Sequence, residues 1–326
     1  MDQELKNTAK AAGAAALVVA AASASAYLTT KLLVDTALDR KPPRVMKNAS
    51  KYISGSKSKD SLADVKRAAD EKLKDSENEH VTIKGHDGTT LVGHFIPCEN
   101  QKRVVIAVHG WRSSWYKDFG GIADFLSQDG SSVLYIEQRG QNGSGGDHMG
   151  FGLTERYDCL DWINFVKLRC GSDVPVYLMG VSMGAATVLM ASGLDLPSNV
   201  HGIVADCGFT SPDAIFRHVA KNNLHIAYRL RSVMADKMFR KKIMIGSGEY
   251  STTDALKTAT VPVMFIHGTN DHFVPIEMTY QNYLSCASEK KLLVVPGADH
   301  AMSCFVDPEK YKEGIEEFFA KYDTKA

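Results

Sequence analysis

The sequence predicts an α/β fold, an eight-stranded, mostly parallel sheet with helices on both faces and a small helical lid insertion. Three observations carry this. Strand-like apolar runs alternate with helix-like stretches from His80 to the C-terminus. Several runs, such as "RVVIAVHG", are continuous rather than alternating, as expected of strands covered on both faces. The chain has 326 residues, 44% hydrophobic and 23% charged, an ordinary balance for a globular protein with a full core.

The first 39 residues stand apart. From Ala11 to Leu28, "AAGAAALVVAAASASAYL" carries no charge and lies between Lys10 and Lys31. Eighteen uncharged residues just reach bilayer-spanning length, so the segment is expected to associate with a membrane as an anchor. Ala24-Ser25-Ala26 has the form of a signal-peptide cleavage site, and a plain alanine-rich helix is the third possibility. Lys31, Arg40, Lys41, Arg44 and Lys47 follow it, which by the positive-inside rule would hold the rest of the chain in the cytoplasm. Residues 40–60, rich in Pro, Ser, Gly and Lys, read as a basic linker.

Residues 61–326 form the main domain. "SLADVKRAADEKLKD" (61–75) places Leu62, Val65, Ala69 and Leu73 on one stripe, a surface helix that Ser61 can cap. "HVTIKG" and "TTLVGHFIPC" flank the turn "HDG" as an antiparallel hairpin. Strands follow at 103–110, 132–138, 174–180, 200–206, 261–268 and 291–297, with helices near 115–128 and 153–170, after Ser182, and near 308–322. Residues 209–254 interrupt the alternation as two inserted helices, rich in Lys and Arg.

Composition excludes some functions. With 38 basic and 38 acidic residues, nothing favours nucleic acid or a polyanionic partner. There is no phosphate loop. The six cysteines lack CxxC spacing, which argues against a metal site, and several lie in apolar runs as small buried hydrophobes.

The chemistry concentrates at the strand ends, where open α/β sheets bind ligands. In "YLMGVSMGAATVLM" an apolar strand stops at Gly180, and Ser182 stands between Gly180 and Gly184 before a helix begins. This is the pattern of a nucleophile elbow, a strained turn that lifts a serine into a pocket. Asp271 follows the seventh strand in "HGTNDHFVP", and His300 follows the eighth in "PGADHAMS". Asp271 alone reads as a turn residue and His300 as a loop histidine, but together the order Ser, acid, His is that of a hydrolytic triad. A serine hydroxyl needs a base to attack, and the base needs an acid to fix its tautomer. Asp206, ending the sixth strand, is the alternative acid. Backbone N–H groups of Met183 and of Trp111, in "HGW", are candidate oxyanion donors. Trp111, Trp115, Phe209, Phe216 and Phe273 leave the strand ends and are candidates for an apolar acyl pocket.

On the segments "HGW", "EQRGQNGSGG", "FGLTERYDCLDW", "GVSMGA", "DCGFTS", "HGTNDHFVP" and "GADHAMS", the chain from about Ser61 onward resembles the α/β-hydrolase superfamily. It is similar to bacterial serine hydrolases labelled cinnamoyl-esterase-like, lysophospholipase-like or serine-aminopeptidase-like. In "EQRGQNGSGG" it departs from the Asp-x-Arg-Gly-His-Gly-x-Ser of such relatives, in a loop that is usually structural. The resemblance implies hydrolysis of a small-molecule carboxylic ester through an acyl-serine, without cofactor or metal. Many such relatives are anchored and lie outside the cytoplasm, which sets an extracytoplasmic placement against the charge rule. Aminopeptidase and thioesterase activities share the same triad, and a non-catalytic, membrane-tethered binding module is the alternative outside enzymes.

Overall fold

The eight strands expected from the apolar runs pair into one sheet in the computed structural model, which describes residues 2–44, 60–225, 227–228 and 231–323. They are β1 (Glu79–Lys84), β2 (Thr90–Ile96), β3 (Arg103–Val108), β4 (Ser131–Glu137), β5 (Val176–Val181), β6 (Val200–Asp206), β7 (Val263–Gly268) and β8 (Lys290–Val295). The order is β1-β2-β4-β3-β5-β6-β7-β8. β1 and β2 form the antiparallel hairpin, β2 pairs antiparallel with β4, and every later pairing is parallel. This is the α/β-hydrolase fold.

Every residue of β3 through β7 except those at the turns lies between two layers of helices, so the strands can be apolar throughout. The two-residue period divides them. Val104, Ile106 and Val108 pack with Trp162, Ile163 and Val166 of one helix and Val188 and Leu189 of another. Val105 and Ala107 face the opposite side and meet Phe119, Ile122, Phe318 and Phe319.

The helices are α1 (Asp2–Leu38), α2 (Asp60–Lys74), α3 (Trp115–Gln128), α4 (Glu155–Cys170) and α5 (Met183–Ala191). The insertion between β6 and β7 contributes α6 (Pro212–His218), a π-helical turn at Val219–Asn223, α7 (Ser232–Ile243) and α8 (Thr252–Leu256). The last three are α9 (Ile276–Ser285), α10 (Ser303–Val306) and α11 (Pro308–Tyr322). α2 begins at Asp60, so Ser61 lies within it. Most of the expected linker, residues 45–59, falls outside the described residues.

The N-terminal segment corrects the expectation of a membrane anchor. Among the described residues no helix is long and apolar enough to cross a membrane. The reason lies in its composition: the uncharged run is mostly alanine, whose single methyl carries little of the apolar surface that drives burial. A transmembrane or signal-anchor role, and the membrane localisation built on it, are therefore withdrawn. The end of α1 instead packs on the body of the fold. Val34, Ala37 and Leu38 are buried in a third apolar cluster with Phe151, Met183 and Phe209 and with Ile215, Ala235 and Phe239 of the insertion. Past the helix, the Arg40 guanidinium donates to the carbonyls of Asn142, Ser144 and Gly146.

Candidate active site

Ser182 stands between β5 and α5 with φ 56° and ψ −115°, a strained conformation for any residue but glycine. Its N–H donates to the Asp206 carbonyl at 2.9 Å, and its carbonyl accepts from Ala186 N–H at 3.0 Å, so the turn is bonded on both sides. The flanking glycines are required by space. A Cβ on Gly184 would stand 1.9 Å from the Val108 carbonyl oxygen, and one on Gly180 2.3 Å from that of Gly184.

The loops after β7 and β8 bring the other two residues to this turn. His300 Nδ1 lies 2.7 Å from Asp271 Oδ2, and its Nε2 lies 2.9 Å from Ser182 Oγ. A carboxylate only accepts, so Nδ1 carries the proton and Nε2 is free to receive the serine hydroxyl's. Asp271 is held in turn. Its Oδ1 accepts the N–H groups of Phe273 and Val274, both at 2.9 Å. On the other side stands His267, whose Nε2 donates to the Val274 carbonyl at 2.9 Å and lies 3.2 Å from Asp271 Oδ2. Burial opposes ionisation of Asp271, but His300 and His267 outweigh it and hold the carboxyl below its usual range. Burial also disfavours a charged His300, yet the Asp271 carboxylate and its hydrogen bond raise the imidazole above its ordinary value.

His267 was not among the residues singled out from the sequence, since a histidine within "VPVMFIHG" reads as part of a buried strand. His109 is a second such residue. Fully buried, its Nδ1 donates to the Gly110 carbonyl at 2.8 Å and its Nε2 accepts from Gln138 N–H, fixing the turn after β3. In that turn Gly110 N–H is taken by Asp118 and Arg112 N–H by Gln141, each at 2.6 Å. The Trp111 N–H between them has no acceptor among the described residues. Met183, as the first residue of α5, likewise presents an N–H without an intrahelical acceptor.

Asp206 stands behind the elbow rather than on the histidine. One of its carboxylate oxygens accepts the Tyr311 hydroxyl at 3.1 Å, and the other has no partner among the described residues. Burial pushes its carboxyl up to about 6, partly offset by His267.

Two cavities meet at Ser182. One is walled by Trp111, Met183, Phe209, Phe216 and Phe273 together with residues of α1 and the insertion. Its lining is almost wholly apolar. The other has Gly110, Arg112, Ser113, Asp118 and His300 in its walls. Trp115 belongs to neither, which corrects its placement in the pocket. As first residue of α3 it lies on one stripe with Phe119, Ile122 and Leu126, turned into the core beneath the sheet. There it stacks on His94, with ring centres 4.4 Å apart.

Comparison with known proteins gives a consistent frame. Residues 99–243 match the model of the family described as "Serine aminopeptidase, S33". The chain is 25% identical over 235 residues to the uncharacterised protein YqkD of Bacillus subtilis, covering 71% of this chain and 75% of that one. It is 26% identical over 170 residues to the lysophosphatidylserine lipase ABHD12 of Xenopus tropicalis, covering 51% of this chain and 42% of the relative. Among solved structures it is similar to the esterase Pf2001 of Pyrococcus furiosus, with a TM-score of 0.63 and 23% identity over 76% of this chain and 92% of that one.

Proposed function

From the premise that this chain belongs to the α/β-hydrolase superfamily, we propose that it is a serine hydrolase of carboxylic esters with an apolar acyl part. One observation carries this reading: the hydrogen-bonded chain Ser182–His300–Asp271 opens onto a cavity whose walls are almost wholly apolar.

The mechanism follows from the geometry. The acyl chain lies in the apolar cavity with its carbonyl carbon at Ser182 Oγ. His300 Nε2 takes the hydroxyl proton as Oγ attacks, and Asp271 stabilises the imidazolium without taking the proton. Trp111 and Met183 N–H groups receive the oxyanion; losing one such donor typically costs ~10²–10³ in turnover. His300 returns the proton to the departing alcohol through the second cavity, and a water repeats the sequence on the acyl-serine. No cofactor or metal is needed for any of these steps.

The family match and the printed names of relatives support hydrolysis of either an ester or a peptide. The site favours the ester. An aminopeptidase must neutralise a substrate ammonium with carboxylates, and the only acid lining either cavity among the described residues is Asp118, already engaged by Gly110 N–H and the Ser113 hydroxyl.

The test combines a fluorophosphonate probe with p-nitrophenyl esters of increasing acyl length and an aminoacyl p-nitroanilide. The parent protein is expected to label, to turn over butyrate and longer esters with higher kcat/KM than acetate, and to leave the anilide intact. Ser182→Ala is expected to lose both labelling and turnover while keeping its fold. Equal turnover by freshly purified parent and Ser182→Ala proteins would refute the assignment, and preference for the anilide would reverse the substrate class.

A further inference from the structure

We infer that the last turns of α1 are a working part of the acyl site, with Leu33 and Ala37 setting the length of chain that Ser182 can accept. The inference rests on the ester-hydrolase reading and extends it to a segment that is neither strand nor lid.

Leu33, Thr36 and Ala37 line the same cavity as Ser182. Their spacing, i, i+3 and i+4, puts them on one face of the helix. The facing wall comes from the insertion, through Phe216, Val219, Leu224 and Tyr228. The cavity thus lies between two elements far apart in sequence, and without α1 that side would open to water.

The end of α1 is also bonded to the catalytic turn rather than resting on it. The last carbonyls of a helix have no partner within it. Here the Trp111 indole N–H donates to the Ala37 carbonyl at 2.9 Å. Arg112 Nη2 donates to the Thr36 and Asp39 carbonyls, each at 2.6 Å, which sets a cation at the negative end of the helix. From the insertion, Lys242 pairs with Asp35 at 3.1 Å and with Asp39. A helix fixed at this many points holds its side chains in place, so their size translates into the depth of the cavity.

The experiment uses the full chain. Leu33→Trp and Ala37→Leu fill the wall, Leu33→Ala recedes it, and Leu17→Trp, on the exposed part of the same helix, is the control. Two readouts are taken: the ratio of kcat/KM for p-nitrophenyl decanoate over acetate, and the affinity for decanoic acid, by displacement of a fluorescent fatty acid, in the Ser182→Ala background. Filling is expected to lower the ratio roughly tenfold or more and weaken decanoate in parallel, since each methylene in such a pocket carries a factor of about ten or more. Leu33→Ala is expected to move the optimum to longer chains, and Leu17→Trp to match the parent. Parent-like ratios and affinities in all three wall variants, or no fatty-acid binding by the parent, would overturn the inference. If the parent neither labels with fluorophosphonate nor turns over any ester, the hydrolase reading falls, while the titration still decides whether α1 walls the cavity.

Discussion

His300 determines how the proposed chemistry answers to pH. It must be neutral to accept the Ser182 proton, so kcat/KM rises as pH rises through its pKa, which Asp271 holds above the ordinary 6.5. Asp271→Asn removes that carboxylate. The rising limb is expected to move to lower pH and the plateau to fall by ~10³–10⁴, because the imidazole loses both its tautomer and its counter-charge. Asp206→Asn touches neither bond of His300, and is expected to cost less than roughly tenfold. Profiles of kcat/KM across about pH 5 to 9 for the three proteins check this; a larger loss from Asp206→Asn would make it the acid. The same pair bears on stability with opposite signs. The raised His300 pKa contributes stability that is full below 6.5 and lost as pH rises through its folded value. The depressed Asp271 contributes above 3.8, and that part is lost as pH falls. Ser182, Asp271 and His300 were legible jointly, because each follows a strand and the three stand in the order Ser, acid, His. His267 was not, since one polar residue in an apolar strand does not declare which neighbour it holds. Trp115 misled because it lies in the same segment after β3 as Trp111, while the start of α3 turns it into the core.

The elbow between β5 and α5 works only while two strands and a helix can touch backbone to backbone. Gly184→Ala puts a methyl against the Val108 carbonyl at 1.9 Å, and backbone cannot step aside by a rotamer change. The expected loss is about 3 kcal/mol or more, read as a lower urea midpoint at unchanged slope. Gly88, in the β1–β2 turn, has φ 81° and no neighbour within 4 Å, so alanine there pays only for the left-handed backbone, about 1 kcal/mol. Comparable losses at the two sites would show that conformation, not contact, dictates glycine at the elbow. The strands themselves were readable because burial on both faces leaves continuous apolar runs. α1 was not, and the reason is specific. Its uncharged half is conspicuous in sequence, but the last turns, from Leu33 to Leu38, are interrupted by Asp35 and Thr36 and gain their meaning from partners far along the chain, in the insertion and in the turn after β3.

Taken whole, the molecule divides its labour by depth. The turns beyond the strand ends hold Ser182, Asp271 and His300, and peripheral elements shape the space in front of them. Asp39 and Lys242, which help to join those elements, lie 203 residues apart in the chain. Closure entropy rises only slowly with loop length, about 0.6 kcal/mol per doubling, but contacts of high sequence separation are slow to form. Neighbouring strands join through shorter connections, although α11 returns to β3 across 220 residues, whereas Val34, Ala37 and Leu38 complete their apolar cluster only when the insertion is in place. Recovery of far-ultraviolet circular dichroism after dilution from urea is therefore expected to run ahead of recovery of the decanoate-to-acetate preference, with simultaneous recovery as the contrary result. On the proposed reading α1 is then among the last helices to find its seat, and selectivity for acyl length follows the assembly of the sheet.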